Sequence, residues 1–115
     1  MSVEVRAVAK YIRMSPQKVR LVADLVRGKD VQQALTVLQF TNRAAAKSVS
    51  RVIASAAANA EENYGLQLDD LYVAEIQVNE APTLRRGRAG ARGRYKPLLK
   101  RGSQISVMVT ERAQA

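Results

Sequence analysis

Eight basic residues and no acidic one fall within residues 81–101, and no other feature of the chain limits its fold as sharply. Arg85, Arg86, Arg88, Arg92, Arg94, Lys96, Lys100 and Arg101 make up the block. Residues 81–103 also hold four of the six glycines (Gly87, Gly90, Gly93, Gly102) and two of the three prolines (Pro82, Pro97). Like charges at this density repel one another, so the segment stays out of any hydrophobic core and calls for a counter-charge. Segments of strand-like alternation flank it on both sides, which makes it a tethered arm and not a loose tail. A connection this long is uncommon inside a compact domain and is usually functional or disordered.

The rest of the charge follows the same blockwise logic. Residues 1–51 carry ten bases against three acids, whereas residues 52–80 carry six acids and no base. The net charge is +9 over 115 residues, with a pI near 10.5, which points to a polyanionic partner. The chain has no His and no Cys. It therefore lacks the usual general base, a thiol nucleophile, a disulfide framework and the common zinc motifs. No cofactor motif appears either. The run at residues 86–90 is not a dinucleotide fingerprint, and no Gly-Lys-Ser/Thr phosphate loop is present. The start lacks the apolar core of a secretory signal, and the alanine-rich stretch at residues 44–60 is too polar to span a membrane. A soluble intracellular protein is expected.

Outside the arm, periodicity predicts a small mixed domain. Val3, Val5, Ala7, Ala9 and Tyr11 alternate with Glu4, Arg6 and Lys10, the pattern of a half-buried strand. Ser15 and Pro16 are a good N-cap and first helical residue. Val19, Val22, Ala23 and Val26 then repeat at helical spacing until Gly28. Asp30 opens a second helix, with Gln33 in capping-box position and Val31, Ala34, Leu35 and Leu38 as its apolar stripe. A third helix is expected over residues 42–63, closed by Gly65. Its small-residue face (Ala45, Val49, Val52, Ile53, Ala56, Ala60) reads as plain core. Residues 71–80 alternate with Ala74, Ile76 and Val78 inward, and Ile105, Val107 and Val109 form a last strand. Tyr11, Phe40 and Tyr72 read as core or core-edge residues.

The chemistry of the arm is that of phosphate recognition. Arginine offers a planar, permanently charged fork that grips phosphate oxygens in bidentate fashion. Interspersed Gly and Ala keep the backbone slim enough for close approach to a nucleic acid. RNA is the favoured partner, with DNA or another polyanion as alternatives and a merely solvated loop as the plainest one. Tyr95 sits among these bases and is able to stack on a nucleobase. A second basic constellation, Arg13, Ser15, Lys18 and Arg20, surrounds a helix N-terminus, where free amides and the helix dipole favour an anion. The acidic doublets Glu61-Glu62 and Asp69-Asp70 read as solvated acids, although a phosphotransfer enzyme built on Asp69 or Asp70 remains open.

The run from Ser15-Pro16-Gln17-Lys18-Val19-Arg20 through Arg27-Gly28-Lys29 resembles the first helix of the protein twenty-two family of the bacterial large ribosomal subunit. Ala56-Ala57-Ala58-Asn59-Ala60-Glu61, Pro82-Thr83-Leu84-Arg85-Arg86, Arg92-Gly93-Arg94 and Lys100-Arg101 are similar to the same family, over nearly the whole chain. The resemblance implies an α+β domain whose long β-hairpin enters ribosomal RNA and helps line the nascent-peptide exit tunnel. It also implies early action in subunit assembly and no enzymatic activity. Carried over, it points to Arg13, Lys18 and Arg20 on the body as rRNA-binding, and Arg6, Lys10 and Ser15 join them as part of the body's own basic surface. On the arm it points to Arg85, Arg86, Arg92, Arg94, Lys100 and Arg101, and Arg88 and Lys96 join them by their charge within the same block. Ala89, Gly90, Ala91, Arg92 and Gly93 would form the tunnel-lining tip. The arm departs from the family at Gly87-Arg88-Ala89, where an apolar pair and a proline are usual, and at Tyr95-Lys96-Pro97.

The expected architecture is thus α+β: three helices on a small three-stranded antiparallel sheet, with one long basic β-hairpin arm. One domain is expected, with a body of residues 1–81 and 103–115 and an arm of residues 82–102. The expected partners are large-subunit rRNA, neighbouring ribosomal proteins and the nascent polypeptide, with no membrane, small-molecule substrate or cofactor. The expected location is the ribosome, in the cytoplasm or less plausibly in an organelle. An architectural DNA-binding protein with a basic β-arm is the alternative.

Overall fold

A computed structural model describes residues 3–89 and 95–111, with residues 82–89 and 95–101 described by their backbone. In chain order the elements are β1 (Val5–Ile12), α1 (Pro16–Ala23), α2 (Val31–Gln39), α3 (Ala45–Tyr64), β2 (Leu71–Ala89) and β3 (Tyr95–Glu111). A single turn of 3₁₀ helix at Leu68–Asp70 leads into β2. The strands form one antiparallel sheet in the order β1-β3-β2, which puts β3 in the middle.

The helices cover one face of that sheet, because only that face is apolar. Ile105, Val107 and Val109 of β3 are fully buried, as are Leu71 and Val73 of β2. Against them pack Val19 and Val22 of α1, Val31 and Ala34 of α2, and the stripe Val49, Val52, Ile53, Ala56 and Ala60 of α3. The small side chains of that stripe let α3 lie close over β1 and β3. Gly65 ends α3 in the left-handed region (φ 64°), a conformation that favours glycine.

Two bulges account for the places where simple alternation misassigns a side chain. Between Ala9 and Ile12 the register of β1 against β3 slips by one residue, and Tyr11 sits there with φ 62°. An extra residue reverses which face the following side chains take. Ile12 therefore packs against the core, while Tyr11 is 70% exposed, contrary to its expected core position. The second slip, between Val73 and Glu75, makes Ala74 the extra residue. Leu71 and Val73 face the core before it and Ile76 and Val78 after it, so Ala74 is only half-buried. Phe40, also expected near the core, follows the last turn of α2 and is 79% exposed. Tyr72 is half-buried. Helix α1 stops at Ala23, short of Gly28, and Val26 reaches the core from the turns that follow.

The arm continues both strands, as the expected hairpin requires. Beyond Ala81↔Gly102 and a further slip, pairing resumes at Leu84↔Lys100 and runs to Ala89↔Tyr95. Pro97 is tolerated because the hairpin has only two strands there, each with a free edge. The molecule measures 68 × 26 × 19 Å with a radius of gyration of 17.4 Å. A compact chain of this length would have a radius near about 13 Å, so the hairpin dominates the shape.

Candidate nucleic-acid interface

The turn that carries the second basic constellation is tied to the root of the arm. Ser103 of β3, fully buried, pairs with Ile12 on one side and Glu80 on the other. Its hydroxyl donates to the Met14 carbonyl at 2.6 Å. This bond ties the turn carrying Arg13 and Ser15 to the strand one residue after Gly102. Arg13 and Lys18 are exposed there, and Ser15 is half-buried. Ser15 takes an extended N-cap conformation (φ −66°, ψ 143°), and its side chain makes no capping bond.

The helix start is less open than its sequence suggests. Pro16 has no N–H, and the amides of Lys18 and Val19 return to the Ser15 carbonyl at 3.1 and 3.3 Å. Among the described residues, Gln17 supplies the first-turn amide left without a protein acceptor. An anion at this spot would be held mainly by the side chains of Arg13 and Lys18, with little from backbone donors.

Arg20 is committed to the fold. Its Nε and Nη2 both donate to the Val78 carbonyl, at 3.1 and 3.0 Å. Arg27 does the same one step earlier on β2, with Nη2 donating to the Ile76 carbonyl at 3.0 Å while Nη1 pairs with Asp24. Further back along β2, Val73 exchanges two 2.9 Å backbone bonds with Gly28 and Lys29. The outer edge of β2 is therefore closed along the body, which blunts strand addition and fixes the direction in which the arm leaves. Sequence reasoning assigned Arg20 by its charge and missed this role. A contact between an arginine and a strand 58 residues away leaves no local signature.

Arg6 and Lys10 are exposed on β1. Arg6 Nη2 lies 4.0 Å from Glu75 Oε2 across the outer face of the sheet, both side chains being largely solvated. This pair is weak and releases Arg6 readily to another anion. On the arm, the register places Arg85 across from Leu99, Arg86 from Leu98, Arg88 from Lys96 and Leu84 from Lys100, with Arg101 next to Gly102. Ala89 closes β2 opposite Tyr95. The expected positions Gly90, Ala91, Arg92, Gly93 and Arg94 lie outside the described residues. Asp69, the candidate for phosphotransfer, accepts a 2.7 Å bond from Gln32 Nε2 on the exposed surface.

The profile of the Ribosomal protein L22p/L17e family matches residues 7–110. The chain belongs to that family. Large ribosomal subunit protein uL22 of Clostridium novyi (strain NT) is 50% identical over 110 residues, covering 96% of this chain and 99% of that protein. The uL22 protein of Clostridium beijerinckii (strain ATCC 51743 / NCIMB 8052) is 51% identical over 110 residues, with the same coverage of each chain. That of Desulfitobacterium hafniense (strain DSM 10664 / DCB-2) is 49% identical over 111 residues, covering 96% and 97%. Family membership matches the resemblance drawn from the first helix and the arm. The α+β fold is the one that resemblance implied.

Proposed function

We propose that this chain is an rRNA-binding structural constituent of the large ribosomal subunit, working in the cytoplasm and carrying out no catalysis. The observation that supports this reading is the hydrogen bond from Ser103 to Met14, which ties the turn carrying Arg13 to the strand that runs into the arm. Arg6, Lys10, Arg13, Ser15, Lys18 and Arg20 form the body part of the binding surface, with Nη1 of Arg20 left over for a phosphate. Arg85, Arg86, Arg88, Arg92, Arg94, Lys96, Lys100 and Arg101 form the arm part. Residues 1–81 and 103–115 act as the docking body, and residues 82–102 as the probe.

The geometry suits insertion into RNA. Strands rise about 3.3 Å per residue, so Ala89 stands roughly 26 Å beyond Ala81. A hairpin of that reach, two strands wide, enters spaces between RNA helices that a globular body cannot. In the same reading, Ala89, Gly90, Ala91, Arg92 and Gly93 line the exit tunnel beside the nascent polypeptide. Binding during early assembly orders the RNA around the hairpin, and neighbouring ribosomal proteins meet the body. Sedimentation of the tagged chain from a bacterial lysate tests the proposal. Co-migration with large subunits is expected, and equal affinity for duplex DNA without co-migration would refute it in favour of an architectural DNA-binding role.

A further inference from the structure

Helix α3 carries its charges against its own dipole. Acids stabilise a helix N-terminus and bases a C-terminus. Here the first turn has no acid and the last turn no base. Arg43 and Lys47 stand at the start instead, and Glu61 and Glu62 near the end. A helix serving only as core scaffold gains nothing from this layout, so the bases answer to something outside the fold.

Their placement is regular. Lys47 and Arg51 lie on the side of α3 opposite the buried stripe, and Arg43 precedes them by the same four-residue step; all three are exposed. Four helical residues rise about 6 Å, so each cation is free to serve a separate phosphate. The surface continues through exposed Ala54, Ser55 and Ala58, which are small enough for a partner to lie flat against the helix. The ion pairs among the described residues are Arg6–Glu75 and Arg27–Asp24, and neither involves these three cations. Phe40, in the same short connection as Arg43, is the most exposed large apolar side chain among the described residues at 79%. An uncovered aromatic beside unpaired cations suits a base stacked on the ring with its backbone on the charges.

We propose that Phe40, Arg43, Lys47 and Arg51 form a second RNA-contact surface on the helical side of the body, apart from the arm root. The inference rests on the chain being an rRNA-binding protein, and its test separates the two. The full chain is titrated with a transcript of bacterial large-subunit rRNA across a range of salt. In the variant combining Arg43→Gln, Lys47→Gln and Arg51→Gln, the log–log salt slope should fall by about two units, since each neutralised single-strand phosphate adds about 0.7. Its thermal midpoint should hold or rise, because the removed charges oppose the helix dipole. Phe40→Ala should weaken binding several-fold and leave the slope unchanged. Lys47→Gln alone, with an expected loss of about 0.7 in slope, keeps the test decisive if the triple variant loses its fold. An unchanged slope and affinity in a folded variant overturn this surface while the arm reading stands. Intact RNA binding with lost co-sedimentation would mean a protein covers the face, and also overturns it. Failure of the unaltered chain to bind the transcript overturns the functional reading itself.

Discussion

Replacing Arg20 by Ala should loosen the root of the arm before it touches RNA binding. The substitution removes two hydrogen bonds from a charged donor to the Val78 carbonyl, at 3.1 and 3.0 Å. Bonds from charged groups contribute about 1.5–3 kcal/mol each when well shielded. Arg20 is exposed, and water can take over the freed carbonyl on the edge of β2, so about 1.5 kcal/mol for the pair is the working estimate. For a domain of this size that lowers the thermal midpoint by roughly 5–10 °C. Arg20→Lys should recover only a minor part, because an ammonium cannot place two donors on one carbonyl as the planar fork does. Urea denaturation of the three proteins provides the assay: the midpoint should fall with the slope unchanged. Amide exchange at residues 76–80 should rise in both variants. An Arg20→Ala protein with the parental midpoint and weakened RNA binding would refute the clamp and make Arg20 purely a phosphate ligand. A Lys variant equal to the parent would show that charge alone suffices.

Three further outcomes follow from the same structure. Thr110 buries its hydroxyl without a hydrogen-bond partner among the described residues, so Thr110→Val should stabilise the fold by about 1 kcal/mol, read as a higher urea midpoint. Gly65→Ala should cost about 1 kcal/mol by the same assay, from backbone conformation alone. Gly65 lies at φ +64° with nothing within 4 Å of a built Cβ. Replacing Arg92, Arg94, Lys100 and Arg101 together by Ala should lower the salt slope of RNA binding by roughly two to three units with the body's stability intact; an unchanged slope would move the binding surface to the body.

The helical layer was legible in the sequence because each helix pairs a punctuating residue with an apolar period. Ser15-Pro16, Asp30 and Gly65 mark helix ends, and the stripes between them are the buried ones. The sheet was legible only in part. Alternation fixes which residues share a face, but a bulge reverses it without leaving a compositional trace, as at Tyr11 and Ala74. Phe40 illustrates another limit, since apolar character favours burial yet does not require it. For the site, the arm's charge was evident as a block. Its junction with the Arg13–Lys18 turn depends on the register that sets Ile12 beside Ser103, a long-range fact with no local signal. The α3 face was overlooked because an alanine-rich buried stripe reads as core whatever the opposite side carries.

The most direct test of the division between docking body and RNA-probing arm is electron microscopy of large subunits assembled with a chain lacking residues 90–93. The buried side chains that hold the domain come from the helices and from the sheet at residues 5–12, 71–81 and 103–110. The deletion should therefore leave the body folded. Shortening a loop changes closure entropy by less than about 1 kcal/mol. The account predicts density for the body seated on the subunit, with the RNA-facing root in place and the tunnel wall altered where the tip would reach. A body absent from the subunit, or a tunnel constriction identical to the parent's, would contradict it.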